Sequence, residues 1–146
     1  METETDGGSS FSAIELDRAQ CLGLLERVSV GRVVLSVNCL PIALPVNVAL
    51  CGDNVVFSTD MGSKYDAAVE GHVISVEADD IDLIYRTGWS VLMTGVAQLV
   101  TDPVEIEWAR ARLQPWAPGP HRFFVKVPST LISGRRLVWG ALQDAG

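Results

Sequence analysis

The sequence predicts a mainly β domain: an antiparallel sheet, closed or nearly closed into a barrel and flanked by short helices. Three observations predict it. Short runs rich in β-branched residues recur along the chain, separated by Gly, Pro, Asn and Asp turn signals. The helical stretches between them are few and short. Neighbouring strand runs are joined by connections short enough to be hairpins, which favours an antiparallel sheet.

Taken in order, residues 1–12 read as a disordered tail, since the stretch is acidic, carries paired Gly and Ser and has little to bury. Residues 13–146 read as one domain, with neither an internal repeat nor an interior linker. A helix starts at Asp17, whose spacing to Gln20 is that of a capping box, with Leu22 and Leu25 on one face, and it ends near Arg27. Gly31 to Asn38 is a strand, and Cys39-Leu40-Pro41 turns the chain. Pro41 to Leu50 is a second strand, in which Pro45 marks an edge, a bulge or an open position. Cys51-Gly52-Asp53-Asn54 is a hairpin turn, and Asn54 to Thr59 a third strand. A short helix follows from about Ser63 to Glu70, stopped by Gly71. His72 to Ala78 is a strand, and Asp79-Asp80-Ile81-Asp82 an acidic connection. Gly88 to Val100 is a long β segment. Asp102 as N-cap, Pro103 at N1 and Glu105 at N3 start another helix, with Val104, Trp108 and Ala111 on one face and Trp108 expected in the core. Pro115 to Pro120 stops it, and Arg122 to Val127 and Arg135 to Trp139 are strands.

Composition narrows the function classes. The chain has 146 residues and a net charge of −7, so neither nucleic acid nor an anionic membrane is expected as a partner. Cys21, Cys39 and Cys51 are odd in number and lack metal-ligand spacing, which predicts three buried free thiols in a reducing cytosol and no metal site. With no leader-like start and no apolar run of membrane-spanning length, the expected compartment is the cytoplasm.

The chemistry concentrates in Val55 to Tyr65. A strand ends in Ser58 and Thr59, and the chain turns through Gly62 into a helix that begins Ser63-Lys64. A phosphate needs N–H groups, a hydroxyl and a cation; a helix N-terminus, Ser63 and Lys64 supply them, and Gly62 permits close backbone approach. The same residues also fit a capped surface helix with a solvated lysine. His72 and His121 read as surface or strand-end residues. Trp116 is a lid, a subunit contact or a plug over the barrel end. Arg135-Arg136 fits a strand pair with one side chain in solvent and one facing a carboxylate. No nucleophile–base–acid set is visible, and no catalytic residue is assigned.

This segment resembles the flavin-phosphate segment of the pyridoxamine 5′-phosphate oxidase-like split-barrel family. Three further pieces match it in the same order. Val30-Gly31-Arg32-Val33 and Leu44-Pro45-Val46-Asn47 resemble the first hairpin. Gly88-Trp89-Ser90-Val91 with Thr94-Gly95 resembles the long central strand. Pro115-Trp116-Ala117 and Ser133-Gly134-Arg135-Arg136 resemble motifs of a small bacterial branch, so the likeness spans roughly residues 16–139.

The resemblance implies a six-stranded antiparallel split barrel, a homodimer with flavin mononucleotide (FMN) sites at its interface, and two-electron transfer with a small organic substrate. By that resemblance Ser63 and Lys64, with Gly62 beside them, hold the phosphate. Ser58 and Thr59 lie near the ring or ribityl chain, and Pro45, Val46 and Asn47 run beside the ring. Trp89 and Ser90 help close the site from the second subunit. Two departures argue against vitamin B6 oxidation. Arg136-Leu137-Val138-Trp139 lacks the proline of the oxidases' Arg-Leu-x-Pro segment, and Tyr65 follows Lys64 where the oxidases have a second basic residue. A deazaflavin coenzyme on the same scaffold, and a non-catalytic flavin- or haem-binding protein, are the alternatives.

Overall fold

The computed structural model describes residues 11–113 and 123–140. Among them, nine strands and three helices run β1 (Phe11–Leu16), α1 (Arg18–Leu25), β2 (Val30–Val37), β3 (Leu40–Cys51), β4 (Asn54–Thr59), α2 (Ser63–Glu70), β5 (Val73–Asp82), β6 (Thr87–Val96), β7 (Gln98–Leu99), α3 (Pro103–Arg112), β8 (Phe123–Pro128) and β9 (Leu131–Trp139). All pairings are antiparallel, in the order β1-β9-β6-β5-β2-β3-β4-β8-β7. The sheet is unclosed by hydrogen bonding and has nine strands rather than the six expected. Its two arms are joined covalently all the same, because only Ala97 separates β6 from β7.

Several local expectations hold for the reasons given. Asp17 Oδ1 accepts from the Gln20 N–H at 2.8 Å and Gln20 Oε1 accepts from the Asp17 N–H at 2.9 Å, closing the capping box of α1. Cys21, Leu24 and Leu25 of α1 are buried. Arg18 donates to the carbonyl and the hydroxyl of Ser129, both at 2.6 Å, and so ties α1 to the β8–β9 turn. Gly71 ends α2 at φ 69°. Asp102 caps α3, accepting from the Val104 N–H at 3.0 Å, with Pro103 at N1.

Other expectations are corrected. Phe11 and Ser12 belong to β1, pairing with Trp139 and Val138, so no tail extends to residue 12; residues 1–10 lie outside the described residues. The β2–β3 turn is Asn38-Cys39, both at positive φ as a two-residue hairpin demands, one residue before the expected place. Asp79 to Asp82 is strand, not connection: pairing with β6 from Asp79↔Ser90 to Asp82↔Thr87 outweighs poor β propensity. On α3, Val104 is 74% exposed, and the buried side is Ala109 with Ile106 and Trp108 packed around it. Glu105 does not cap backwards but pairs with Lys126, Oε2 to Nζ 3.1 Å. Among the cysteines only Cys21 is buried; Cys39 is exposed and Cys51 intermediate. Trp116, His121 and the Pro115 to Pro120 loop lie outside the described residues.

Strand alternation divides the interior in two. Inward residues such as Val33, Val48, Phe57, Val76, Val91, Met93 and Val125 form the main core with α1 and α2. A smaller core, Val56, Val100, Ala109, Leu113 and Phe124, lies under α3. Where β6 crosses β8, a Cβ on Gly95 would stand 2.1 Å from the Pro128 carbonyl oxygen, so only glycine fits.

Candidate functional site

The site is built where β3 changes partner. From Leu40 to Asn47, β3 pairs with β2; from Val48 to Cys51 it pairs with β4. The Val48 N–H donates to the Ser29 carbonyl at 3.0 Å, which makes that pair a hydrogen-bonded one. By antiparallel alternation the Pro45↔Arg32 and Pro41↔Ser36 pairs are non-hydrogen-bonded, and both proline nitrogens face away from β2. On that side β4 has already parted from β3, so the missing N–H groups cost no ladder bond. This is the open position the sequence allowed for Pro45.

Beyond its last pair with β3, at Phe57↔Val48, β4 runs on as Ser58 and Thr59 along β8 alone. Thr59 is buried and its hydroxyl donates to the Asp60 carbonyl at 3.0 Å. The chain then swings through Gly62 at φ 151° and ψ −159°, a conformation essentially reserved for glycine. Gly62 offers no side-chain cap to α2, and the first intrahelical bond is the Asp66 N–H to the Gly62 carbonyl, 2.9 Å. The N–H groups of Ser63, Lys64 and Tyr65 therefore precede the hydrogen-bonded helix. Tyr65 packs on Phe123 of β8 with ring centroids 4.5 Å apart, which fixes the helix start against the sheet. Lys64 is half-buried, and among the described residues no carboxylate pairs with it. A cation, a hydroxyl and open helix N–H groups together make an anion-compatible corner.

The structure brings the expected residues together unequally. Ser58 to Lys64 are contiguous and flank the same divergence of β3 and β4 as Pro45 to Asn47. Pro45 is exposed, Val46 is buried in the main core, and Asn47 is intermediate. Trp89 and Ser90 stand on β6, with β5 and β2 between them and β3. Trp89 points inward and is 8% exposed, a member of the main core; Ser90 is exposed on the outer face.

Sequence reasoning missed a charged group on that outer face. Arg32 on β2 reaches Glu77 Oε2 at 3.3 Å and Asp79 Oδ2 at 3.4 Å on β5. Arg32 lies between Pro45 and Glu77 in register. Burial pushes the Glu77 carboxyl up to about 7; a hydrogen bond to Asp79 and its charge push the same way, and Arg32 opposes them. Beside it a groove of ≈ 510 Å³ is lined by Glu15, Glu77, Ser90, Leu92, Ser133 and Arg135 among others. The Glu77-x-Asp79 spacing was the available signal, hidden because Asp79 was read as turn. His72 is exposed and pairs with Glu70 at 2.8 Å, a strand-end residue as expected. Arg135 and Arg136 are both exposed, with Glu15 opposite Arg135 in register. No group of three metal-ligating side chains occurs among the described residues, and no described helix is long and apolar enough to cross a membrane.

An unclosed antiparallel sheet in which β3 and β4 part beside an anion-compatible helix start defines a class of mainly β proteins. The chain belongs to the pyridoxamine 5′-phosphate oxidase family, whose model matches residues 17–136. It is 36% identical over 135 residues to the uncharacterized protein Rv0080 of Mycobacterium tuberculosis, covering 89% of each chain. Among solved structures it is similar to the FAD binding protein from Mycobacterium smegmatis, at 34% identity and TM-score 0.71, covering 84% of this chain and 98% of that one. An FAD-binding protein from Mesorhizobium loti shares the fold at 19% identity and TM-score 0.75, covering 88% and 98%.

Proposed function

We propose that the chain binds a flavin nucleotide at the corner between β3, β4 and α2, and that it is an oxidoreductase moving two electrons, as hydride, to or from a small organic molecule. The observation that carries the reading is Lys64: half-buried, without a carboxylate partner among the described residues, at a helix start that no side chain caps. Family membership supports it, and so does the likeness to the M. smegmatis FAD binding protein.

When bound, the flavin supplies the electron chemistry. The chain's own residues bind and orient. Ser63 donates its hydroxyl to the phosphate, Lys64 neutralises it, and Gly62 lets the backbone approach. Ser58 and Thr59 flank the ribityl chain, and Pro45 and Asn47 flank the ring, with Val46 anchoring the strand between them in the core. The phosphate so held is the one FMN and FAD share, and FMN is the smallest ligand that satisfies the corner. β2, β3, β4, β8, the continuous β7–β6 segment and β5 then form the six strands of a split barrel, with β1 and β9 added outside. A second protomer brings Ser90 to the site, with Trp89 stiffening the strand behind it. The compartment we assign is the cytoplasm.

Equilibrium titration of the purified protein with FMN, FAD and a deazaflavin coenzyme, read by visible spectra, tests the reading. FMN or FAD should bind, and Lys64→Ala should weaken binding by roughly 1.5–3 kcal/mol, the scale of a charge-assisted hydrogen bond. Unchanged binding by the variant removes Lys64 from the site. Tight binding of the deazaflavin alone, or a Soret band in the isolated protein, replaces the flavin.

A further inference from the structure

In the strand order, β2 and β5 are the link between the β1-β9-β6-β5 arm and the β2-β3-β4-β8-β7 arm. That link pairs Arg32↔Glu77, Val33↔Val76 and Val34↔Ser75, whereas β5 and β6 pair continuously from Val73↔Val96 to Asp82↔Thr87. A short ladder holds less well than a long one, so side chains at its end matter more. Arg32, Glu77 and Asp79 stand at that end, with the guanidinium 3.3 Å from one carboxylate and 3.4 Å from the other.

Glu77 and Asp79, two apart on one strand, share an outward face and reach the same Arg32 nitrogen, so two like charges crowd one cation. The groups facing Glu77 are few. Arg32 comes from β2 and Asp79 from β5. Apolar Leu92 lies opposite on β6, and across the groove stand Arg135 of β9 and Glu15 of β1.

We propose that the Arg32–Glu77–Asp79 cluster is a proton-operated clasp at the β2–β5 seam, closed while the two carboxyl groups share a proton and loosened when they lose it. The charge count explains the two states. With the proton, one carboxylate balances Arg32. Without it, two adjacent carboxylates compete for one guanidinium and repel each other. Linkage fixes the working range: the native carboxyl, raised to about 7, holds its proton far better than a solvated glutamate with the ordinary value of 4.5. The clasp therefore works around neutral pH. Because β3 hangs from β2, the clasp sets how firmly Pro45 to Asn47 are coupled to the β5–β6 arm. It stands on the protomer alone, independent of the flavin reading.

Native-state hydrogen exchange followed residue by residue tests it. Arg32 and Val34 direct their N–H groups to β5, and amides of the β6–β9 ladder serve as the internal reference. In the unaltered protein, seam protection relative to that reference should fall at least about tenfold between about pH 6 and about pH 8.5. In Glu77→Gln, whose amide is neutral at every pH, protection should stay high at both. No fall in the unaltered protein overturns the clasp, and so does a fall of equal size in the variant. Should Glu77→Gln fail to fold, a carbon-detected titration of Glu77 in the unaltered protein decides: a midpoint near 7 supports the clasp, and one near 4.5 overturns it.

Discussion

Gly62 shows how much one residue can decide. At φ 151° a Cβ has space around it but the backbone conformation is strained, so Gly62→Ala should cost about 1–3 kcal/mol, measurable as a shift in urea midpoint. The Gly62 glycine was legible as a turn, and Lys64 as a cation at a helix start, because both signals are local. The partnering of Arg32 with Glu77 and Asp79 was not legible, since it depends on which strands become neighbours across 45 residues of chain. Glu77 also makes a prediction of opposite sign to most carboxylates. Its folded value is raised, so the stability it contributes is fully present below about 4.5 and is lost as pH rises through about 7. Urea titrations at several pH values should show that loss, and Glu77→Gln should remove it.

At the scale of elements, caps were read well and partners were not. The Asp17 box and the Asp102 cap rest on residues three or fewer apart. Asp17→Ala should cost about 1 kcal/mol and fray α1, seen as lower helix signal and faster exchange at its first turn. β1 was missed because Phe11 to Leu16 has no strong β run of its own and is held by β9, more than a hundred residues away. The acidic end of β5 was missed for the same reason: its strand character comes from β6. On α3 the expected face holds only in part: Trp108 packs on the smaller core, but Val104 and Ala111 are exposed, and the buried residue is Ala109, small and unremarkable in the sequence.

For the molecule as a whole, the antiparallel β class was legible because alternation and turn chemistry repeat along the chain. The strand count was not, because β1 joins only through its distant partner and Ala97 splits one long segment into β6 and β7. Two whole-molecule measurements follow. Phe57, the largest fully buried side chain of the main core, should cost about 3–5 kcal/mol when cut to alanine, by denaturant titration. If two copies share the cofactor corner, sedimentation should find a dimer and the melting temperature should rise with protein concentration.

The outward margin of β3 carries prolines at two of its four outward-facing positions between Pro41 and Asn47. A stray extended peptide arriving there finds a ladder with rungs removed and cannot dock in register. Where no described strand pairs with it, the same stretch can thus stand beside the start of α2 without seeding fibrils. Restoring both rungs, as Pro41→Val with Pro45→Val, should turn that margin adhesive, visible as light scattering growing with time at a concentration where the parent stays clear.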